Sequence, residues 1–242
     1  MNRTLGHSLH IALGCIRHVL SKPAGCSACP LYATGQGFVP DKLAKSERIR
    51  FVGEGPGKNE IQRGEPFVGK SGFVLDQWLV KSVTAMRIHQ ERGEISLCNT
   101  LRCLPPENTQ GRAYPSGTER VAAEAMCRQY DTPVAPGGTV VLFGEAAQRL
   151  HFRAELDRED ATDRSLGRDV KGVTGRIGRV YERGGSRFIF APHPAYILRQ
   201  PMMISHGVEA LKIAVGATYV EPQTVPWQDA VQELLMPREV VA

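Results

Sequence analysis

The stretch RIRFVGEGPGKNEIQRGEPFVGKSGFVLDQW, Arg48 to Trp78, constrains the fold more than any other part of the chain. It opens on a short apolar run, Ile49, Phe51 and Val52, which ends abruptly in Gly53-Glu54-Gly55-Pro56-Gly57. Such a run reads as a buried strand entering a tight turn, where glycines permit close backbone approach and proline stiffens the bend. Glu54 therefore stands at the mouth of a strand. A polar bridge leads to Pro66-Phe67-Val68-Gly69 and then to a partly apolar helix carrying Phe73, Leu75, Trp78 and Leu79. Open α/β sheets bind ligands beyond the carboxyl ends of their strands, which is where this turn would lie.

Gly64 to Ser71 also matches the phosphate-loop pattern G-x-x-x-x-G-K-S/T letter for letter. That loop needs a strand directly before its first glycine, and here Glu60, Gln62 and Arg63 precede Gly64. The later apolar run Val140 to Phe143 ends in Gly144-Glu145 rather than in a magnesium-holding aspartate. A phosphate-loop nucleotidase using Lys70 and Ser71 is thus a secondary reading. The dinucleotide fingerprint fails, because Lys58 and Asn59 follow Gly57.

Along the chain, an amphipathic helix is expected from about Leu5 to Leu20, followed by a turn holding Cys26 and Cys29 and by a polar loop to Glu47. The helix of the organising stretch should end near Met86. Ile95 to Asn99 reads as a strand, Leu104 to Pro115 as a proline-rich loop, and Ser116 to Glu119 as a capping box opening a helix that carries Cys127. Thr139 to Gly144 is a strand with a short helix after it. Arg153 to Lys171, dense in both charge signs, is expected to be a solvated insertion or mobile loop. Arg179 to Ala191 alternates like a hairpin around Gly184-Gly185 and runs into Pro192-His193-Pro194. A last helix holds Leu211 and Ile213. Strands alternating with helices predict an α/β fold, a three-layer α/β/α sandwich around a central, mostly parallel four-stranded sheet. Residues 1–216 are read as one domain, and 217–242 as a C-terminal tail with an amphipathic piece from Trp227 to Leu235.

The 242 residues suffice for one well-buried domain, and no run of about twenty apolar residues suggests a membrane span. His7, His10 and Arg17 interrupt the N-terminal apolar pattern, against a signal peptide, so a cytoplasmic protein is expected. A net charge of +5 is compatible with a polyanionic partner but decides little by itself. The six cysteines say more. Cys15 and Cys98 sit in apolar surroundings, as buried free cysteines do. The pair Cys26/Cys29 with Cys103 and Cys127 forms a four-thiolate set suited to zinc or an iron–sulfur cluster. Unconnected cysteines and a thioredoxin-like pair are the alternatives, the latter weaker since no βαβ pattern surrounds Cys26.

Four ordered motifs narrow the field. G-E-x-P-G-x-x-E spans Gly53 to Glu60, and G-x-P-F-V-G-x-x-G spans Gly64 to Gly72. N-x-x-x-C-x-P-P-x-N spans Asn99 to Asn108, and H-P-x-Y-x-L-R spans His193 to Arg199. Together with the leading C-x-x-C they resemble the iron–sulfur uracil-DNA glycosylases called family 4, over nearly all of Cys26 to Arg199. The resemblance implies a 4Fe-4S cluster on Cys26, Cys29, Cys103 and Cys127, with zinc as the less favoured occupant. It implies Glu54 and His193 as catalytic residues and Gly55, Glu60, Phe67, Asn99 and Asn108 as substrate-binding ones. Tyr196, Leu198 and Arg199 would contact DNA.

The chemistry of these residue types agrees. An enzyme acting on a base takes it out of the stack and holds it by its Watson–Crick edge against an aromatic ring. Phe67 supplies a ring. The Asn99 amide offers both a donor and an acceptor, matching uracil O4 and N3–H and mismatching the cytosine amine. A neutral His193 donating to uracil O2 would stabilise the departing anion. Glu54 would orient or deprotonate the attacking water. Glu60 would line the pocket near uracil C5 and help exclude thymine, or else cap a helix or turn. Ile197 and Leu198 fit either an apolar wedge in the DNA minor groove or the start of a packed helix.

Three departures from the family pattern stand out. Ile61 replaces an acid after the second glutamate, and 111–117 and 153–171 look like insertions. No histidine lies between Asn99 and Leu150, against the covalent trapping of a related branch. The expected function is excision of uracil from single- or double-stranded DNA, without a lyase step because no lysine occupies a matched position. The protein is expected to be a monomer associated with the nucleoid, needing neither membrane nor nucleotide cofactor. A non-cleaving DNA-binding relative that recognises uracil or a modified base is the alternative.

Overall fold

The computed structural model describes residues 21–83, 95–107, 117–170 and 172–216. Five strands form one sheet: β1 (Ile49–Gly53), β2 (Ile95–Asn99), β3 (Thr139–Phe143), β4 (Val180–Arg183) and β5 (Ser186–Ala191). Their order is β2-β1-β3-β5-β4, with β2, β1, β3 and β5 parallel and β4 antiparallel at the edge. The fifth strand, beyond the four expected, is the first arm of the Gly184-Gly185 hairpin. It pairs with β5 from Val180↔Ile189 to Arg183↔Ser186 and stays largely exposed.

Strand side chains alternate between two faces, and each face has its own core. Ile49, Phe51, Ile95, Leu97, Val141, Phe143, Ile189 and Ala191 point one way. They meet α2 (Lys70–Val83) through Val74, Leu75 and Trp78, α5 (Pro194–Ile197) through Ile197, and α6 (Ile204–Ala214) through Ile204, Val208 and Leu211. Val52, Cys98, Val140, Leu142, Phe188 and Phe190 point the other way, onto Ala147, Phe152 and Leu156 of α4 (Gly144–Ser165). Burial on both sides explains why β3 reads as a continuous apolar run and why β1 and β2 are predominantly apolar, broken at Arg50 and Ser96. The result is the α/β/α sandwich. Two further helices, α1 (Lys58–Arg63) and α3 (Gly117–Cys127), lie on the carboxyl-end loops of β1 and β2.

The largest correction concerns the charge-dense run. The expected loop from Arg153 is for the most part the second half of α4, kinked at Phe152 (φ −130°, ψ 31°). Among the described residues four of its acids are paired, and of these Asp157 meets Arg149 at 2.8 Å. Asp160 accepts from Arg176 and from Arg149 at 3.1 Å, while Glu159 meets Arg179 at 2.7 Å and the Tyr181 hydroxyl at 2.8 Å. Arg183 pairs with Glu155 and lies 4.2 Å over the Phe152 ring. Within the run, among the described residues, Leu156 alone joins the core, next to Phe152 at the kink, too sparse an apolar pattern to announce a helix.

Several expectations lie outside the described residues: the N-terminal helix, Cys15, the end of the α2 helix near Met86, Ser116 of the capping box, and the tail 217–242. No described helix is long and apolar enough to cross a membrane.

The α4 assignment makes a stability prediction. Leu156→Ala should lower unfolding free energy by about 2–5 kcal/mol, as buried leucine truncations do, while Leu166→Ala, at an exposed position, should change it by less than about 0.5 kcal/mol. Equal, small effects in urea titrations would mean that the segment is not docked.

Candidate active site

The carboxyl ends of three of the parallel strands, β1, β2 and β5, open onto one cavity of about 420 Å³. Glu54 follows β1, Asn99 ends β2 and His193 follows β5, and all three line it together with Gly55, Glu60, Phe67, Tyr196 and Arg199. The strand order reverses direction about β1, with β2 on one side and β3 on the other, so the cavity sits at a topological switch point.

The floor is shaped by close approach. Gly53 and Asn99 are register partners in β1 and β2. A Cβ on Gly53 would lie 2.6 Å from Asn99 Oδ1 and 2.6 Å from Phe67 Cζ, so only glycine lets the amide and the ring edge meet over the strand end. Phe67 adopts φ +54°, a left-handed conformation that costs an aromatic residue free energy and persists only where its surroundings enforce it. Here they do. Its ring is buried against Phe143, centroids 6.1 Å apart, and a Cβ on Gly72 would fall 1.9 Å from its carbonyl oxygen.

Glu60 has a definite structural task. It is the third residue of α1, and its two carboxylate oxygens accept the Gly57 N–H at 3.1 Å and the Gly69 N–H at 2.9 Å. One acid thereby ties the turn after β1 to the loop before α2. The capping role and the pocket-lining position coexist in this side chain. Gly64 closes α1 in the left-handed conformation, and Lys70 and Ser71 open α2. With all of α1 between β1 and Gly64, the phosphate-loop pattern lacks the strand it requires.

His193 caps α5. Its Nδ1 accepts the Ala195 N–H at 3.1 Å, so the neutral ring carries its proton on Nε2. Burial pulls the imidazole below its ordinary value of 6.5; the Glu54 carboxylate opposes that shift and Arg199 reinforces it. The following segment divides cleanly. Ile197 is wholly buried in the core, whereas Leu198 is 40% exposed and Arg199 exposed. The packed-helix reading thus holds for Ile197, while Leu198 faces outward. Tyr196 is partly buried, packed against the larger core. Asn108 lies outside the described residues.

A wider groove of about 950 Å³ adjoins the cavity, sharing Glu54, His193, Tyr196 and Arg199 with it. It runs between α3 and the start of α4, past Arg149 and Arg153. The sequence gives no sign that Glu54 has a cationic partner, yet Arg120 Nη1 of α3 lies 2.8 Å from Glu54 Oε1. The i,i+4 pair Arg120–Glu124 is visible in the sequence; its contact with Glu54 is not.

The four thiols also come together. Cys103 and Cys127 lie in one small apolar cluster with Leu31, Leu101 and Ala123, and Cys29 packs against it. Cys26 Sγ is 3.4 Å from the Tyr130 hydroxyl, and Cys103 and Cys127 each sense Cys26 and Cys29 electrostatically. None of the four forms a disulfide. Burial raises the Cys103 and Cys127 thiols above their ordinary range, a cost that metal binding to the deprotonated form would offset. Among the described residues no three His, Cys, Asp or Glu side chains are drawn up to single-ion spacing. The donors fit a metal group in type, number and neighbourhood. Cys98 stands apart in the second core, a buried thiol as expected.

Arg102 braces this region. Wholly buried, it donates to the Cys127 carbonyl at 2.8 Å, to Asp41 at 2.6 Å and to Asp131 at 2.8 Å.

Residues 40–214 match the family described as the uracil DNA glycosylase superfamily. Among curated proteins, the chain is 30% identical over 190 residues to the type-4 uracil-DNA glycosylase of Archaeoglobus fulgidus, covering 78% of this chain and 83% of that one. It is 30% identical over 174 residues to the type-4 uracil-DNA glycosylase of Thermotoga maritima, covering 72% and 78%. The protein of the same name from Pyrobaculum aerophilum is 29% identical over 180 residues, covering 74% and 82%.

The depressed His193 has a measurable consequence. In nitrogen-detected NMR its ring should appear as the Nε2–H tautomer and titrate below 6.5. Because the unfolded chain then binds the extra proton more readily, this group's contribution to stability is complete above pH 6.5 and declines as pH falls below it. A midpoint above 6.5 would contradict the assignment.

Proposed function

The chain belongs to the uracil DNA glycosylase superfamily, and we propose that it flips uracil out of DNA and hydrolyses the bond between base and deoxyribose, leaving an abasic site. The observation that carries this reading is the shared cavity, into which an acid, an amide and an imidazole from three separate strand ends converge. Its size is ample for one pyrimidine.

In the proposed reaction uracil lies against Phe67 with its Watson–Crick edge on Asn99. The amide N–H₂ donates to O4 and its carbonyl accepts N3–H, a pairing that cytosine cannot reproduce. Glu60 and the loop it ties down wall the pocket and exclude the thymine methyl. Water attacks C1′ of the sugar, Glu54 orients it and takes its proton, and the base departs as an anion. His193 Nε2–H donates to O2, where that negative charge develops. The bond from the Ala195 N–H to Nδ1 supports this role, since it orients the ring and leaves its donor free to serve the site.

Leu198 fills the space vacated by the flipped nucleotide and Arg199 contacts phosphate. Their exposure beside the cavity supports both roles. DNA continues along the wider groove past Arg149 and Arg153. A single chain suffices, because every side chain invoked comes from it. The enzyme works as a monomer wherever its host keeps DNA.

Cys26, Cys29, Cys103 and Cys127 hold a 4Fe-4S cluster, and the type-4 name of the relatives supports that occupant over zinc. The cluster supplies cross-linking of distant segments rather than electrons, since glycosidic hydrolysis is not a redox reaction. No nucleotide is required. Residues 1–216 act as one domain, with 217–242 as an appended tail.

Single-turnover assays on uracil-containing oligonucleotides test the reading. Uracil should be released, thymine and cytosine retained, and His193→Ala should slow release by about 10²–10³-fold. Glu54→Gln should slow it by about 10²–10⁴-fold. Folded wild-type protein that binds uracil-DNA without releasing base would instead establish the non-cleaving alternative. Iron and acid-labile sulfide should be present in stoichiometric amounts and be lost in Cys103→Ser; zinc alone would overturn the cluster assignment.

A further inference from the structure

The acid proposed to handle water does not stand alone. Glu54's backbone is pinned to the exit of β2: its carbonyl oxygen accepts the Thr100 hydroxyl at 2.6 Å and the Leu101 N–H at 3.1 Å. Its carboxylate is held from the opposite wall, where Arg120 Nη1 of α3 meets Oε1 at 2.8 Å. Arg120 is itself aimed by Glu124, one helical turn later, whose Oε1 accepts Arg120 Nε at 2.8 Å. Glu124 is buried, its side chain 3% exposed, and its Oε1 stands 3.5 Å from the Thr100 hydroxyl. The contacts form a ring: Glu54 carboxylate, Arg120, Glu124, Thr100 and back to the Glu54 carbonyl.

Two physical demands meet in this ring. A glutamate has rotatable bonds to lose, and a carboxylate that must meet a water molecule gains from being held before substrate arrives. Arginine does this through Oε1, on a side chain that lines the cavity. A lone arginine there would also cancel the negative charge needed opposite a cationic sugar. Glu124 offsets it, since two carboxylates against one guanidinium leave one net negative charge.

We infer that Arg120 is a positioning residue for Glu54 and that Glu124 both aims Arg120 and neutralises its charge, so that the pair fixes the acid without weakening it. This deepens the glycosylase reading and rests on it. Arg120 touches no reacting atom in this scheme; it acts through Glu54.

The experiment measures single-turnover uracil release and equilibrium binding of uracil-DNA separately. Arg120→Gln should slow release by about 10–100-fold, the range expected from a misplaced reacting group, with affinity changed by less than about threefold. Arg120→Lys should recover part of the rate. Glu124→Gln, which leaves the arginine uncompensated, should slow release too, and Arg120→Gln/Glu124→Gln should be faster than Glu124→Gln alone. In a Glu54→Gln background, Arg120→Gln should cause little further loss, because residues that act as one unit are non-additive.

Unfolding midpoints verify that each variant is folded, and Arg120→Lys carries the test if the glutamine variant is not. Loss of affinity with an unchanged rate would make Arg120 a phosphate contact and overturn the inference. So would an unchanged Arg120→Gln, or full additivity with Glu54→Gln. A wild-type protein that releases no uracil would refute the glycosylase reading itself, a result distinguishable from all of these.

Discussion

Register pairing of Gly53 with Asn99, at the last rung between β1 and β2, sets the spacing on which the site depends. Parallel strands bring all their carboxyl ends to one edge, so residues remote in sequence become neighbours without any loop having to reach far. At that edge Gly53 has no side chain, and the missing Cβ is the space in which Asn99 and Phe67 meet. The strained Phe67 backbone is sustained by burial of its ring and by the close passage of Gly72. Rigid strand ends and one enforced loop conformation together hold a polar edge and an aromatic face at a common pocket.

Several charges buried in this protein are held by specific partners. Arg102 is wholly buried yet meets two carboxylates and a carbonyl, joining the end of β2 to the segments that carry Cys127 and Asp41. Buried ions cost several kcal/mol each unless paired and hydrogen-bonded, so these contacts are what make the placement tolerable. Glu60 follows the same rule with backbone amides as partners, as does Asp160 with Arg149 and Arg176. The Arg120–Glu124 pair extends it into the active site.

Where the sequence misled, the cause lies in what local patterns omit. Arg153 to Lys171 reads as solvated because its charges outnumber its apolar residues, but β4 and the turn before it supply Arg183 for Glu155, Arg179 and Tyr181 for Glu159 and Arg176 for Asp160, partners that lie outside the helix. The phosphate-loop letters at Gly64 to Ser71 are present without the preceding strand. Ile197 and Leu198 look equivalent by composition, and a four-residue helix turns one into the core and the other outward. Glu60, a candidate for either a cap or the pocket, occupies both positions because the turn it caps is the pocket wall.

The sequence by itself determined the layered α/β class, the positions of the central strands and the family, since apolar runs, turn glycines and four ordered motifs are local features that survive without coordinates. It also placed Glu54, Asn99 and His193 at strand ends. Only the tertiary structure decided that these ends share one cavity, that Arg120 reaches across to Glu54 and that the hairpin clamps α4. Those are contacts between elements, made by register and packing. Side-chain identity permits many such contacts, and the fold selects among them.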